Sequence, residues 1–176
     1  MEIETPRLLL REFRETDYTT THEYASDEEV TRYTIFGPNS EQDTREFLLR
    51  AVAQQRENPR TQYGMAIVLK SESRHIGSIG MRVKKGAEGN FGYVLNKAYW
   101  GKGYIPEAAR ALLDFAFKTV KIHRMIAKVC PENTASIRVL EKLGMRREGR
   151  HIKDDWMKNA WRDSYLYAIL EEEWKP

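Results

Sequence analysis

From residue 7 to residue 13 apolar and polar side chains alternate, with Leu8 and Leu10 on one face and Leu9 and Arg11 on the other, the period of a half-buried strand. Residues 16–25 and 27–33 then read as two short helical pieces. Ser40 with Asp43 forms a capping box that opens a longer helix to about residue 56, stopped near Pro59. Residues 63–70 and 75–83 return to strand character around a turn at 71–74, and a second turn at 85–89 leads to a strand at 91–95, which together predict an antiparallel meander. Ala108, Ala109, Leu112, Leu113 and Ala116 recur at helical spacing between Pro106 and about residue 118, and residues 124–130 follow as a strand. A strand, helix, strand crossover implies that 91–95 and 124–130 run parallel. Asn133 caps a short helix carrying Ile137, Leu140 and Leu143 that ends at Gly144, and a hairpin of 145–156 and 161–170, turning at Lys158 and Asn159, completes the pattern. The predicted class is α+β: a mostly antiparallel sheet of about seven strands with one parallel pair, flanked by about four helices.

Within this pattern, residues 93–109 (YVLNKAYWGKGYIPEAA) carry the strongest chemical signal. Pro106 suits the first helical position, which puts Ile105 in the capping place, where its side chain cannot accept from the free N–H groups of the first turn. Gly101 and Gly103 let the backbone turn sharply and let a ligand approach, while Lys102 and the helix dipole add positive potential. An anion such as a pyrophosphate fits this turn, and so does an ordinary water-capped turn. The dinucleotide fingerprint is excluded because Pro106 stands where its third glycine belongs. The nucleoside-triphosphate loop is excluded because Gly103 follows Lys102 in place of Ser or Thr. If the two parallel strands are neighbours, the Gly101 turn and the Asn133 cap flank one crevice at their carboxyl ends.

The 176 residues, 41% of them hydrophobic, suit a single domain spanning 1–176, without linker or repeat. The chain begins acidic and has no apolar run of about 20 residues, so a soluble, cytoplasmic protein off the membrane is expected. Cys130 is the sole cysteine, which excludes an internal disulfide, and no cluster has metal-ligand spacing, so no metal is expected. The excess of 29 Lys and Arg over 26 Asp and Glu is too small for a nucleic-acid footprint. Arg146, Arg147, Arg150 and Lys153 form a local basic group that reads as a solvated face. His22, His75, His123 and His151 are isolated and form no triad with a Ser or Cys. Trp156, Trp161, Tyr165 and Tyr167 read as core and edge aromatics, with a substrate slot as the other reading.

Taken together, the segments ETPRLLLREF, WGKGY with the following PEAA, PENTASIRVLEKLGM and WRDSYLYAIL resemble the GNAT superfamily of acetyl-CoA-dependent N-acetyltransferases. Nearly the whole chain is similar to its Rim type, which includes ribosomal-protein N-terminal acetyltransferases. The family's turn pattern Q/R-x-x-G-x-G/A aligns its essential glycine with Gly103. Trp100 holds the first position, and Ile105 replaces the last small residue, a departure expected to crowd the site slightly.

The resemblance implies a GNAT-like sheet with a central splay. It also implies a bulge around Tyr93, Val94 and Leu95 whose freed backbone groups hold the pantetheine and polarise the thioester carbonyl. The coenzyme A pyrophosphate would lie on the backbone of Gly101, Lys102, Gly103, Tyr104 and Ile105, with Asn133 touching the pantetheine or its thiol end. Ser136 matches the position that protonates the departing thiolate, and Asp155 falls where relatives carry a carboxylate that deprotonates the amine through water, though Asp154 adjoins it.

The expected activity is direct transfer of acetyl from acetyl-CoA to a primary amine, since no convincing nucleophile exists for an acyl-enzyme. An α-amine of a protein or peptide, or a small weakly basic amine, is preferred over lysine as acceptor. Catalytically silent coenzyme A-binding modules and binders of another phosphate are the rival readings. A homodimer is compatible with all of them.

Overall fold

In the computed structural model, which describes residues 1–84 and 87–175, eight strands form one sheet in the order β1-β2-β3-β4-β5-β6-β8-β7. They are β1 (Glu2–Glu4), β2 (Leu8–Glu12), β3 (Gln62–Leu69), β4 (Arg74–Lys84), β5 (Glu88–Leu95), β6 (Arg124–Val129), β7 (Arg146–Met157) and β8 (Ala160–Leu170). Every neighbouring pair is antiparallel except β5 and β6. The additional strand is β1, whose three residues are too few to show a period.

The helices are α1 (Tyr18–Ala25), α2 (Glu41–Gln54), α3 (Tyr104–Phe115) and α4 (Thr134–Lys142). The capping box opens α2 as expected, with Ser40 Oγ accepting from Asp43 N and Asp43 accepting from Ser40 N. Residues 27–33 do not form the expected helix. Thr31 N bonds Asp27 O, but the bonds that follow are three residues apart and the turn does not propagate. Of the expected turn at 85–89, Lys85 and Gly86 lie outside the described residues, while Glu88 and Gly89 already belong to β5.

Helices cover both faces of the sheet. The apolar stripe of α3 is fully buried at Ala108, Ala109, Leu112 and Leu113, against Leu8, Leu10, Ile67, Ile79 and Met125 from the strands. Each of those leucines stabilises the packing by about 2 kcal/mol. On the other face Leu48 of α2 meets Phe13 and Ala66, while Tyr24 and Ala25 of α1 meet Val30 and Val94.

The parallel pairing of β5 with β6 covers only Glu88, Gly89 and Asn90 against Arg124, Met125 and Ile126. Beyond Asn90 the two strands part, while β5 stays paired with β4 to Leu95. The sheet is therefore split at its centre. The helices that follow the two strands, α3 and α4, begin on opposite sides of the split.

Under α1, His75 is buried between the rings of Phe13 and Tyr24. Its Nε2 lies 2.8 Å from the carbonyl of Gly77, which only accepts, so Nε2 carries the proton and Nδ1 faces Thr20 Oγ1 at 2.8 Å. Burial pulls its pKa down to about 4, against the field of Asp17. The folded state thus holds His75 neutral, whereas the unfolded chain takes up a proton below about 6.5. Stability should fall by roughly 3 kcal/mol as pH drops from 6.5 to 4, since the unfolded state binds more protons throughout that window. His75→Gln should flatten this segment of the curve, as read by urea denaturation at a series of pH values; an unchanged slope would show that the drop arises elsewhere.

Candidate functional site

The turn between β5 and α3 is built by two glycines in left-handed conformation, Gly101 at φ +74° and Gly103 at φ +77°. Gly103, not Ile105, is the residue that precedes the helix, which begins at Tyr104 and so places Pro106 at its third position. Ile105 is buried in the core beneath α3 instead of crowding the turn. The expectation of an uncapped end holds nonetheless, because among the described residues no side chain caps α3. Among the described residues, the N–H groups of Gly101, Lys102, Gly103, Tyr104 and Ile105 meet no acceptor. A Cβ built on Gly101 would touch nothing within 4 Å, and one on Gly103 would meet only Arg7 Nη2 at 3.5 Å. Five consecutive donors, room above them and a helix dipole behind them suit a phosphate or pyrophosphate.

Arg7 holds this turn, a role that its sequence position did not reveal. Its Nη1 donates to Lys102 O at 2.9 Å, its Nε to Glu107 Oε2 at 2.6 Å, and its guanidinium lies 4.7 Å from the Tyr104 ring centroid. Partial burial would raise the Glu107 carboxyl, but bonds from Thr5 and Arg7 hold it below the usual range. Lys102 folds back, its Nζ donating to Ala98 O at 3.1 Å beside the Tyr99 ring.

No bulge interrupts β5, whose register on β4 runs without a shift from Glu88 to Leu95. Its free backbone groups arise because β6 has departed. Asn96 N donates to Ile76 O, so by antiparallel alternation the backbone groups of Val94 face β4, while those of Tyr93 and Leu95 face the split. The Leu95 carbonyl is taken by Trp100 Nε1 at 2.8 Å.

The side chain of Tyr93 reaches across to α4, where its hydroxyl lies 2.6 Å from Ser136 Oγ. Burial pushes the Tyr93 phenol up to about 12, against the pull of that bond, so it stays protonated and can donate to Ser136. Asn133 Oδ1 accepts from Ser136 N at 3.1 Å. The protein thus caps α4 itself, and only one of the two helix ends beside the crevice lacks a cap.

Tyr93, Asn133 and Ser136 are brought together; Asp155 is not joined to them. It lies on β7, two strands from β6, with Oδ1 at 3.4 Å from Lys128 Nζ. Burial would raise neighbouring Asp154, but bonds from Lys128 and Ser164 and one shared with His151 hold it below the usual range. Burial and the bond to Glu132 push the Cys130 thiol up to about 11, leaving it a poor nucleophile near pH 7. Tyr167 is buried, whereas Trp156 and Trp161 stand 57% exposed, edge to face at 5.3 Å.

The domain model described as acetyltransferase (GNAT) domain matches residues 7–146. The uncharacterized N-acetyltransferase YnaD of Bacillus subtilis is 41% identical over 175 residues, covering 99% of each chain. A crystal structure of a GNAT-family acetyltransferase from Bacillus anthracis superposes with a TM-score of 0.87 at 41% identity, over 98% of this chain and 100% of that one. A ribosomal-protein-S5-alanine acetyltransferase from Vibrio fischeri gives 0.83 at 26% identity over the full length of both.

Arg7→Ala should leave the helices folded yet speed hydrogen exchange at the Glu107 amide, which bonds Gly103 O, by about tenfold or more, because it removes the strut beneath the turn. Unchanged exchange would show that the glycine turn holds its shape unaided.

Proposed function

The chain belongs to the GNAT family of acetyltransferases, and on that premise we propose that it moves acetyl from acetyl-CoA directly to an uncharged α-amine of a peptide, a protein N-terminus or a small weakly basic molecule. The row of five unengaged N–H groups after the carboxyl end of β5, together with the Ser136 hydroxyl that Tyr93 of the same strand holds, carries this reading. Gly101, Lys102, Gly103, Tyr104 and Ile105 hold the pyrophosphate. The backbone groups of Tyr93 and the N–H of Leu95 that face the split align the pantetheine, joined by the Asn133 amide nitrogen.

The amine nitrogen attacks the thioester carbonyl carbon, a C–N bond forms and the C–S bond breaks. The amine gives up a proton and the departing thiolate gains one. Ser136 supplies the second proton: Tyr93 donates to Ser136 Oγ, which leaves the serine's own hydrogen free to point at the sulfur. The raised Cys130 thiol argues against an acyl-enzyme. Positioning of the two reactants contributes most of the rate.

Ser136→Ala should lower kcat by about 10- to 1,000-fold with little change in acetyl-CoA affinity, as loss of a general acid does. Tyr93→Phe should lower kcat by about 5- to 50-fold and have no further effect in a Ser136→Ala background, because both act on one proton. Thiol release from acetyl-CoA with an amine panel reads all three. Additive losses would separate the two residues. Coenzyme A binding without any release would favour a catalytically silent module.

The acceptor preference follows from the cost of neutralising an amine at pH 7, about 4.6 kcal/mol for lysine and about 1 for an α-amine. Of the two adjacent carboxylates, Asp154 is engaged by three partners, which leaves Asp155 to take the amine proton through water. Asp155→Asn should lose most activity near pH 7 and regain part of it at pH 9, where more acceptor is already neutral. Wild-type rates across that range would remove the assignment, and preference for internal lysines in N-terminally blocked peptides would remove the α-amine claim.

A further inference from the structure

Residues 27–39 cross from β5 to the tip of the β7–β8 hairpin. At one end Asp27 Oδ2 pairs with Lys97 Nζ at 2.7 Å and Val30 packs on Val94. At the other, Lys158 Nζ donates to Phe36 O at 2.9 Å. Gly37, at φ +67°, fits where a Cβ would come within 2.6 Å of Thr31 Cγ2, and Asn39 N bonds Ala25 O, so the loop is fixed along its length.

Where loop and hairpin meet, they enclose a cavity of about 130 Å³ lined by Arg32, Tyr33, Cys130, Glu132, Lys158 and Arg162 among others. Three cations face one carboxylate, and Glu132 already accepts from the Cys130 thiol at 2.6 Å. Arg7, Arg11, Arg60, Arg74, Arg124, Arg146 and Arg150 all pair with carboxylates. Arg32 and Arg162, like several other exposed arginines, pair with none among the described residues. The cross-strand neighbour of Arg162 is Asp155, which turns to Lys128, and Asp163 turns to Arg150. Burial holds the Lys158 ammonium below its usual range. Asn133 N bonds Cys130 O, closing a turn that sets Cys130 and Glu132, on the cavity wall, within about 7 Å of Asn133, whose side chain caps the helix that carries Ser136.

We propose that this cavity binds a carboxylate carried by the acceptor, so that the favoured substrate is an amine with a carboxylate a few bonds away, either a free acidic amino acid or a peptide that begins with one. The proposal rests on the acetyl-transfer reading above. Guanidinium forks match carboxylate geometry, two of them converge here, and three positive charges repel a polyamine.

The test measures calorimetric binding to the full chain saturated with coenzyme A, using Asp-Ala-Ala-amide against Asn-Ala-Ala-amide and free aspartate against asparaginamide. Turnover of the same four compounds and of spermidine is read by thiol release. The aspartyl compound of at least one pair should bind tenfold or more tightly, with the same order in kcat/KM, and the pair showing the larger ratio identifies the source. Arg32→Gln combined with Arg162→Gln should bring the ratio towards one while the melting temperature stays within a few degrees of wild type. Equal affinities in both pairs, a ratio unaltered in the double variant, or spermidine as the best acceptor would each overturn the proposal. A binding preference without thiol release from any compound would uphold the cavity and overturn the acceptor reading of the catalytic site.

Discussion

Three residues of parallel pairing, Glu88 to Asn90 on Arg124 to Ile126, are the constraint on which the rest of the architecture depends. A longer pairing would satisfy the backbone groups of Tyr93 and the N–H of Leu95 that face the split and would close the sheet. With no pairing the two halves would share no edge. The short contact fixes the hinge of a wedge, and because a helix follows each strand, both helix N-termini flank its open end. The two ends differ in how they are satisfied. The Asn133 side chain caps α4, whereas the turn into α3 leaves five donors without an acceptor among the described residues.

Burial also sorts the ionisable groups. Those removed from water, His75 and Cys130, are held uncharged at neutral pH, and the Tyr93 phenol keeps its proton across the ordinary range. Charged groups are paired, near the surface as in Arg7 with Glu107 and Arg150 with Asp163, while the buried Asp17 is the exception, held charged by Arg11. Among the groups that line the crevice, the bonded hydroxyls of Tyr93 and Ser136 are thus better suited to handing on a proton than to attacking a carbonyl.

Much of this was legible in the sequence because it depends on local chemistry. The Ser40 capping box, the apolar stripe of α3, the Asn133 cap and the turn at Lys158 and Asn159 each concern residues a few positions apart, and each was read correctly. Two of the misses concern the non-local. The split exposes β5 without a bulge, and only the register against β4 and β6 could show that. Arg7 lies 95 residues from the turn it braces, so no spacing rule links them. The placing of Pro106 at the first position of α3 was a genuine local error: proline also fits the third position, where its missing N–H would likewise have no helical partner.

The two walls of the crevice differ in what composes them, and that bears on how such a fold changes its acceptor. On the α3 side the candidate contacts are main-chain N–H groups, which depend on two positive φ angles and on room above the glycines. Side chains there serve mainly as struts, so substitutions alter the wall only by disturbing the backbone. Opposite, the cavity is formed by side chains from a loop that makes one unpropagated helical turn and from a hairpin tip, elements whose backbone bonds do not depend on the identity of Arg32 or Arg162. Exchanging those two residues would leave the sheet, the wedge and the row of donors in place. If that cavity receives the acceptor as proposed, acceptor choice is free to vary while the half of the site that suits a pyrophosphate is held fixed by geometry.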